Sequence, residues 1–473
     1  MDLRLNRIPE TVRRVHLIAV GGTAMGALAC LLQELGCEVR GSDRKIYPPM
    51  SGFLAARGIP VLEGFRPEHL DPAPDLVVIG NAVTAANPEA VECARRGIPF
   101  CSLPQAVNRF AARGKRALVV VGTHGKTTTS ALCAWILHAA GRDPSFLIGG
   151  ILVDFESNFR LGAGGEIVLE GDEYDTAFFD KGPKFLHYEP ARLIWTSLEF
   201  DHADIYRDLA AVESAFGRLL ERLAPECRLF ARDGEPAMDR LLGATPAAVS
   251  RYGMNPGSDW RIEILPAGEG FRRFEVFKGK TFYGRFRTRL IGRHNLLNAL
   301  AAIALAESLG VGPQDAARAL ESFRGVKRRQ EVRGEKRGVL VIDDFAHHPT
   351  AVRETIAAVA EAYPRRRIVA VFEPRSNTSM RNVFQEVYPQ AFRGADSVLV
   401  REIALPEKVP PAERFSAARL ADALRAQGRE ALSFADTEGI LEHLLHTARP
   451  GDVVLIMSNG GFDNLPERLL AAL

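Results

Sequence analysis

Residues 117–121 form an uninterrupted run of apolar β-formers that breaks into Gly122, Thr123, His124 and Gly125; Lys126, Thr127, Thr128, Thr129 and Ser130 then open an apolar helix through Trp135 and Leu137. Such a run, followed by helical spacing, predicts a buried parallel strand and its crossover helix. The pattern recurs on both sides. Residues 15–20 predict a strand ending in Gly21, Gly22, Thr23, Met25 and Gly26, and a helix then leads to residue 35. A second strand at 37–40 delivers Ser42 and Asp43, and strands at 76–79 and 99–102 continue the unit. Residues 109–116 read as a linker.

Beyond the central glycine turn, strands are predicted at 167–170, 193–197 and 227–231. Residues 259–291 instead alternate apolar and polar at period two, which predicts antiparallel strands appended to a parallel sheet. A long apolar helix from His294 to Leu309, a second to Glu321, and Lys327, Arg328 and Arg329 close this unit. A third α/β unit has strands at 339–343, 368–372, 397–400 and 453–457. Each of three of them ends in polar loops: 343–348, 373–378 and 458–461. Ligands of open α/β sheets bind beyond the carboxyl ends of the strands, so these loops are expected to line a site.

At roughly 100–200 residues per domain, 473 residues predict about three domains. The expected divisions are 1–112, 113–328 and 329–473. Apolar residues at 47% and a net charge of +2 suit an ordinary globular protein with no general pull toward nucleic acid or anionic membrane. Six cysteines without C-x-x-C spacing point to a reducing, cytoplasmic setting and no zinc. No stretch approaches the ~18 apolar residues that span a membrane, and the N-terminal residues lack the apolar core of a signal peptide.

The turn at 122–127 reads G-x-x-G-K-T, two residues shorter than the common Walker loop. A strand, a glycine turn and a helix N-terminus aim backbone N–H groups at one anion, Lys126 adds charge, and Thr127 offers a hard oxygen to a phosphate-bound cation. Acidic residues follow two later strands, Glu170 to Asp175 in one and Asp201, His202 and Asp204 in the other, which favours a metal near the loop. The turn at 21–26 is a displaced dinucleotide fingerprint, and Asp43 closing the second strand suits any ribose. Of the basic residues at 327–329, an arginine at the inter-domain joint could stabilise phosphoryl charge.

In this order the motifs resemble those of the Mur ligases of bacterial cell-wall synthesis, three-domain ATP-dependent amide ligases. The family's marks are G-T-x-G-K-T, an acidic Mg²⁺ loop, D-H-x-D, H-N-x-x-N and a D-D-x-x-H-H-P-like strand end. They stand here at 122–127, at Asp172 and Glu173, at 201–204, at 295–298 and at 343–349. The resemblance implies an N-terminal Rossmann-like domain for the UDP-sugar, a P-loop ATPase-like central domain with added antiparallel strands, and a C-terminal Rossmann-like domain for the peptide. It implies that Gly122, Thr123, His124, Gly125, Lys126, Thr127, Thr128, Asn295, Asn298, Arg329 and Asp344 hold ATP, with Mg²⁺ or Mn²⁺ on Thr127, Glu173 and His202. Gly21, Gly22, Thr23, Met25, Gly26, Ser42, Asp43 and Asn81 are then expected at UDP-MurNAc. Arg375, Ser376, Asn377, Thr378, Ser458 and Asn459 are expected at the peptide, and Lys126, His202 and Arg329 in catalysis.

Within the family, the G-G-T-x-M-G start is similar to the branch that takes UDP-MurNAc itself. Residues 173–181, 198–206 and 372–378 are similar to the recycling members that attach the preformed tripeptide L-Ala-γ-D-Glu-meso-diaminopimelate. Alanine-adding members carry E-S-D-G-S-F and F-Q-P-H-R-Y at the corresponding places, and an alanine ligase is the alternative within the class. An NAD-dependent oxidoreductase is favoured only by residues 21–26 and leaves 122–128 unexplained. Two departures stand out. Several members hold a second Mg²⁺ through a carbamylated lysine, yet no lysine lies between Lys184 and Lys278, and Asn464 ends the last motif where glycine is expected. The resemblance further implies attack of the MurNAc carboxylate on the γ-phosphate, followed by displacement of phosphate by the peptide amine. His202 or the His347/His348 pair could accept the amine proton.

Overall fold

The apolar runs become the inner strands of three separate sheets in a computed structural model that describes residues 2–46, 50–268 and 270–473. The first sheet is wholly parallel. Its order is Val61–Glu63, Glu38–Asp43, Arg14–Ile18, Leu76–Ile79 and Phe100–Ser102, the Rossmann-like arrangement expected. The third sheet has parallel strands Val339–Asp344, Asp452–Met457, Arg367–Phe372, Ser397–Arg401 and Glu430–Phe434, and Glu331–Lys336 runs antiparallel at its edge.

Among the described residues ten strands form the central sheet. Arg116–Val121 lies inside it between Pro190–Trp195 and Glu166–Glu170, all three parallel. The period-two region supplies Trp260–Gly268, Phe271–Lys278 and Thr281–Thr288 as an antiparallel extension, as predicted. At the opposite edge Ser145–Leu152 and Ser157–Arg160 were not legible, because Gly149 and Gly150 interrupt the first and the second is only four residues long. The expected linker is shorter than predicted. Helix Leu103–Val107 continues as a π turn over Asn108–Ala112, leaving residues 113–115 to connect the units.

One face of the central sheet is covered by helices Lys126–Ala139 and Arg293–Glu307. The second is alanine-rich and buried nearly all round, which permits its close approach to the first. Phe274, Val276 and Phe286 of the antiparallel extension join the same core as Leu118, Val120 and Ile303. The appended strands are therefore welded to the phosphate-loop strand through shared packing. Among the described residues no helix is long and apolar enough to cross a membrane.

Phe274 is fully buried and stacked on Phe286 at 5.6 Å. Phe274→Ala should cost about 3–5 kcal/mol of stability, by the lost transfer term and the cavity left behind. Chemical denaturation measures this; a cost below about 1 kcal/mol would detach the extension from the core.

Candidate active site

Three neighbouring strands of the central sheet end beside one another, and their loops build the floor of a cavity of about 990 Å³. The loop after Arg116–Val121 needs glycine at two places. Gly122 and Gly125 have φ of 126° and 82°, and a Cβ on them would lie 2.3 Å from Thr196 Oγ1 and 2.7 Å from Asn298 Oδ1. The backbone between is tied to the next strand end, since the His124 N–H donates to Ser197 Oγ at 2.9 Å and Thr196 Oγ1 donates to the His124 carbonyl. The helix therefore begins in a fixed orientation, with Thr127 and Thr128 at its N-terminus on the cavity.

Lys126 Nζ donates to the Gly122 carbonyl at 2.7 Å and to Glu173 Oε2 at 2.8 Å. Glu173 is 2% exposed. Burial works against its charge, but Lys126 and His202 outweigh burial and hold the carboxyl down at about 2. His202 Nε2 lies 3.4 Å from Glu173 Oε1, an ion-pair distance, while that oxygen has no hydrogen-bond partner. Burial disfavours the imidazolium, yet Glu173 and then Asp201 raise His202 to about 9. Glu170, which heads the acidic cluster expected near the loop but was given no ligand role of its own, accepts from Thr127 Oγ1 at 3.0 Å and from the Gly149 N–H at 2.7 Å; burial and then Asp172 raise its pKa. Its signal in the sequence was its place at a strand end beside the acidic loop.

Of the basic residues at 327–329, Arg329 reaches the loop. Its Nη2 donates to Thr127 Oγ1 at 3.1 Å, and its guanidinium lies 4.5 Å over the Phe345 ring. Arg328 instead donates to the carbonyls of Ser458 and Gly460. His202, Arg328 and Gln330 all have left-handed backbones, φ 54°, 59° and 51°, each costing of order 1 kcal/mol and held by the surrounding contacts. Asp344 accepts from the Gln330 and Ala346 N–H groups at 2.8 and 2.7 Å. Asn295 and Asn298 line the cavity behind Gly125, joined by a 3.2 Å hydrogen bond.

The outer units close over this floor. Asn377 Nδ2 donates to Asp204 Oδ2 at 2.7 Å, and Thr378 Oγ1 accepts from the Ala203 N–H at 3.1 Å, so the 373–378 loop grips the His202 loop. Arg375, Ser376 and Asn459 also face the cavity. Arg375 makes no hydrogen bond or ion pair among the described residues, and Asn459 Oδ1 is buried without a partner. From the first unit come Gly22, Thr23, Met25 and Asn81.

Several expected ligand residues are not brought to the cavity. Ser42 is fully buried and its hydroxyl donates to Glu89 at 2.5 Å. Asp43 accepts from the Gly21 N–H at 2.8 Å, bracing the turn, and Gly26 is the close-packing position against Met50 and the Val20 carbonyl. Ser458 is likewise buried, donating to Glu373 at 2.6 Å. Ser42, Asp43 and Ser458 thus spend their polar groups on the scaffold behind the site. Asn464, where glycine was expected, has φ 55°, a conformation asparagine tolerates, so the turn survives the substitution.

Comparison with known proteins bears on this geometry. Residues 14–115 match the model for the Mur ligase family, catalytic domain, 120–306 the Mur ligase middle domain, and 328–460 the Mur ligase, glutamate ligase domain. The chain is 39% identical over 461 residues to the UDP-N-acetylmuramate–L-alanyl-γ-D-glutamyl-meso-2,6-diaminoheptandioate ligase of Escherichia coli, covering 97% of this chain and 98% of that one. The chain belongs to the Mur ligase family. Its similarity to the UDP-N-acetylmuramate–L-alanine ligase of Rubrobacter xylanophilus is nearly as high, 37% over 97% of this chain and all of that one. Among solved structures, the murein peptide ligase of Psychrobacter arcticus superposes with a TM-score of 0.74 at 34% identity, covering 97% of this chain and 98% of that one. The three-domain Mur ligase architecture expected from the motifs is thus present.

The His202–Glu173 contact has a pH signature. Because the folded pKa of His202 lies above the ordinary value near 6.5, its contribution to stability is complete below about 6.5 and is lost as pH rises through about 9. The melting-temperature gap between the ligand-free protein and His202→Gln should be widest below pH ~6.5 and close between about 6.5 and 9. A gap independent of pH across that window would show that His202 is not charged in the resting enzyme.

Proposed function

We propose that this Mur ligase uses ATP to join UDP-N-acetylmuramate to the tripeptide L-Ala-γ-D-Glu-meso-diaminopimelate through an acyl phosphate, as in peptidoglycan recycling. The observation that carries the acceptor assignment is Arg375, a cavity-facing guanidinium with no protein partner among the described residues. A tripeptide brings several carboxylates, L-alanine one, and a free guanidinium grips a carboxylate through two parallel hydrogen bonds. The similarity to the E. coli tripeptide ligase supports the same reading, and the Rubrobacter alanine ligase keeps L-alanine as the alternative acceptor.

In this reading residues 1–112 hold UDP-MurNAc, 113–328 the nucleotide and 329–473 the peptide. The β- and γ-phosphates lie on the N–H groups of residues 122–128, with Lys126 and Arg329 stabilising the charge that collects on the transferring phosphoryl group. Asn295, Asn298 and Asp344 surround the rest of the nucleotide. Thr127 and Glu173 fit a Mg²⁺ or Mn²⁺ ion: both are hard oxygen donors, and Glu173 Oε1 is buried without a hydrogen-bond partner. Such an ion, when bound, neutralises phosphate charge. His202, charged in the resting enzyme, becomes a ligand only after losing its proton.

The incoming amine must shed a proton. His347 suits this role better than His202, because burial lowers its pKa and keeps it neutral, and its Nδ1–H donates to the Phe345 carbonyl at 3.0 Å, leaving Nε2 as acceptor.

Phosphate release with ATP, Mg²⁺ and UDP-MurNAc should be stimulated far more by the tripeptide than by L-alanine. Arg375→Ala should weaken apparent tripeptide affinity ten-fold or more, the scale of a charged hydrogen bond of about 1.5–3 kcal/mol, while ATP and UDP-MurNAc affinities hold. L-alanine as the better acceptor would overturn the tripeptide assignment, and an unchanged tripeptide KM would remove Arg375 from it.

A further inference from the structure

Beside the phosphate loop, and separate from the Glu173–His202 pair, three side chains from different parts of the chain converge. His124 sits in the loop itself, Glu199 follows the strand Pro190–Trp195, and His348 caps the helix Pro349–Ala362 of the third sheet's unit. His124 Nε2 is 3.4 Å from Glu199 Oε2, and His348 Nδ1 is 3.6 Å from the same oxygen. One ligand atom from each lies within 4.8 Å of the other two. Four tetrahedral ligands at the ~2.1 Å typical of zinc–nitrogen and zinc–oxygen bonds stand about 3.4 Å apart. Two of the three separations already have that value to within a few tenths of an ångström.

The surroundings complete the resemblance to a metal centre. His348 Nε2 donates to the Phe200 carbonyl at 3.1 Å, which fixes the tautomer that leaves Nδ1 as a lone pair toward Glu199. Glu199 is itself oriented, since Thr350 Oγ1 donates to its Oε2 at 2.7 Å. The Thr350 N–H donates to His348 Nδ1 at 3.2 Å, so an incoming cation exchanges that one capping contact for a coordinate bond. All three residues line the cavity.

We propose that His124, Glu199 and His348 bind a borderline transition-metal cation, Zn²⁺ or Co²⁺, in a three-ligand site with an open fourth position. Two imidazoles and one carboxylate select such ions over Mg²⁺, which prefers six oxygens. The absence of cysteine pairs, which argues against a thiolate zinc site, leaves a histidine–carboxylate set untouched. A cation bound here joins the phosphate loop to the N-terminus of the helix Pro349–Ala362, tying the central unit to the third.

Co²⁺ titration of the full chain, without nucleotide or substrate, tests this through the strong visible absorption of tetrahedral cobalt, with Zn²⁺ displacement giving the zinc affinity. The wild type should bind one tetrahedral Co²⁺ per chain. His124→Ala and Glu199→Ala, each checked for an unchanged far-ultraviolet circular dichroism spectrum, should each lose roughly 100-fold or more in affinity, since disturbing even a group that only hydrogen-bonds to a metal ligand costs about 10–100-fold. His202→Ala should keep the signal. No tetrahedral spectrum in the wild type, a spectrum indifferent to both ligand variants, or one lost only in His202→Ala would overturn the assignment. Because no substrate is present, these results are independent of which acceptor the ligase uses.

Discussion

The structure is arranged around a buried ammonium–carboxylate contact, Lys126 on Glu173. A buried ion pair stabilises little on its own, because desolvation offsets attraction, and it persists where further polar contacts satisfy both partners. Here the Gly122 carbonyl takes a second proton of Lys126, and His202 stands at the other oxygen of Glu173. Three strand ends supply these groups, so the contact also fixes how the three loops sit relative to one another. In the proposed ligase cycle the same charges meet phosphate and a divalent cation, and the resting pair keeps them desolvated and oriented beforehand.

The outer units depend on that floor. The loop bearing His202 is clasped from the third unit by Asn377 and Thr378, and Arg329 runs back from the inter-domain joint to Thr127. Left-handed backbones at Arg328 and Gln330 sit at the joint between the central and third units. Gln330 is held from both sides, its side chain accepting from Asn295 Nδ2 and its N–H donating to Asp344, which offsets the cost of its backbone. The first unit is anchored less directly, with Asn158 Nδ2 donating to the Thr23 carbonyl at 3.1 Å.

Buried parallel strands were legible because both faces are covered, which leaves uninterrupted apolar runs such as 117–121 and 453–457. The antiparallel extension was legible for the opposite reason, its alternation. Edge strands escaped: Ser157–Arg160 and Glu331–Lys336 are short, polar and held by neighbours rather than by their own pattern. At the site, glycines and charged residues at strand ends were readable as chemistry. Burial state was not. Ser42, Asp43 and Ser458 look like ligands in a motif, and only packing shows them hydrogen-bonded to Glu89, Gly21 and Glu373 behind the cavity. Glu199 lay within a quoted motif, yet its convergence with His124 and His348 spans more than 200 residues and has no local signal.

In the resting enzyme a protonated His202 sits on Glu173, the carboxylate proposed above to meet the cation. Calorimetric titration of Mg·ATP at about pH 7.5, in buffers of different ionisation enthalpy, counts the protons exchanged on binding. The wild type should release about one proton and His202→Gln none, because a ligated or displaced imidazole falls from its raised pKa toward or below the ordinary range. Binding heats independent of buffer in the wild type, or the same proton release from the variant, would contradict it.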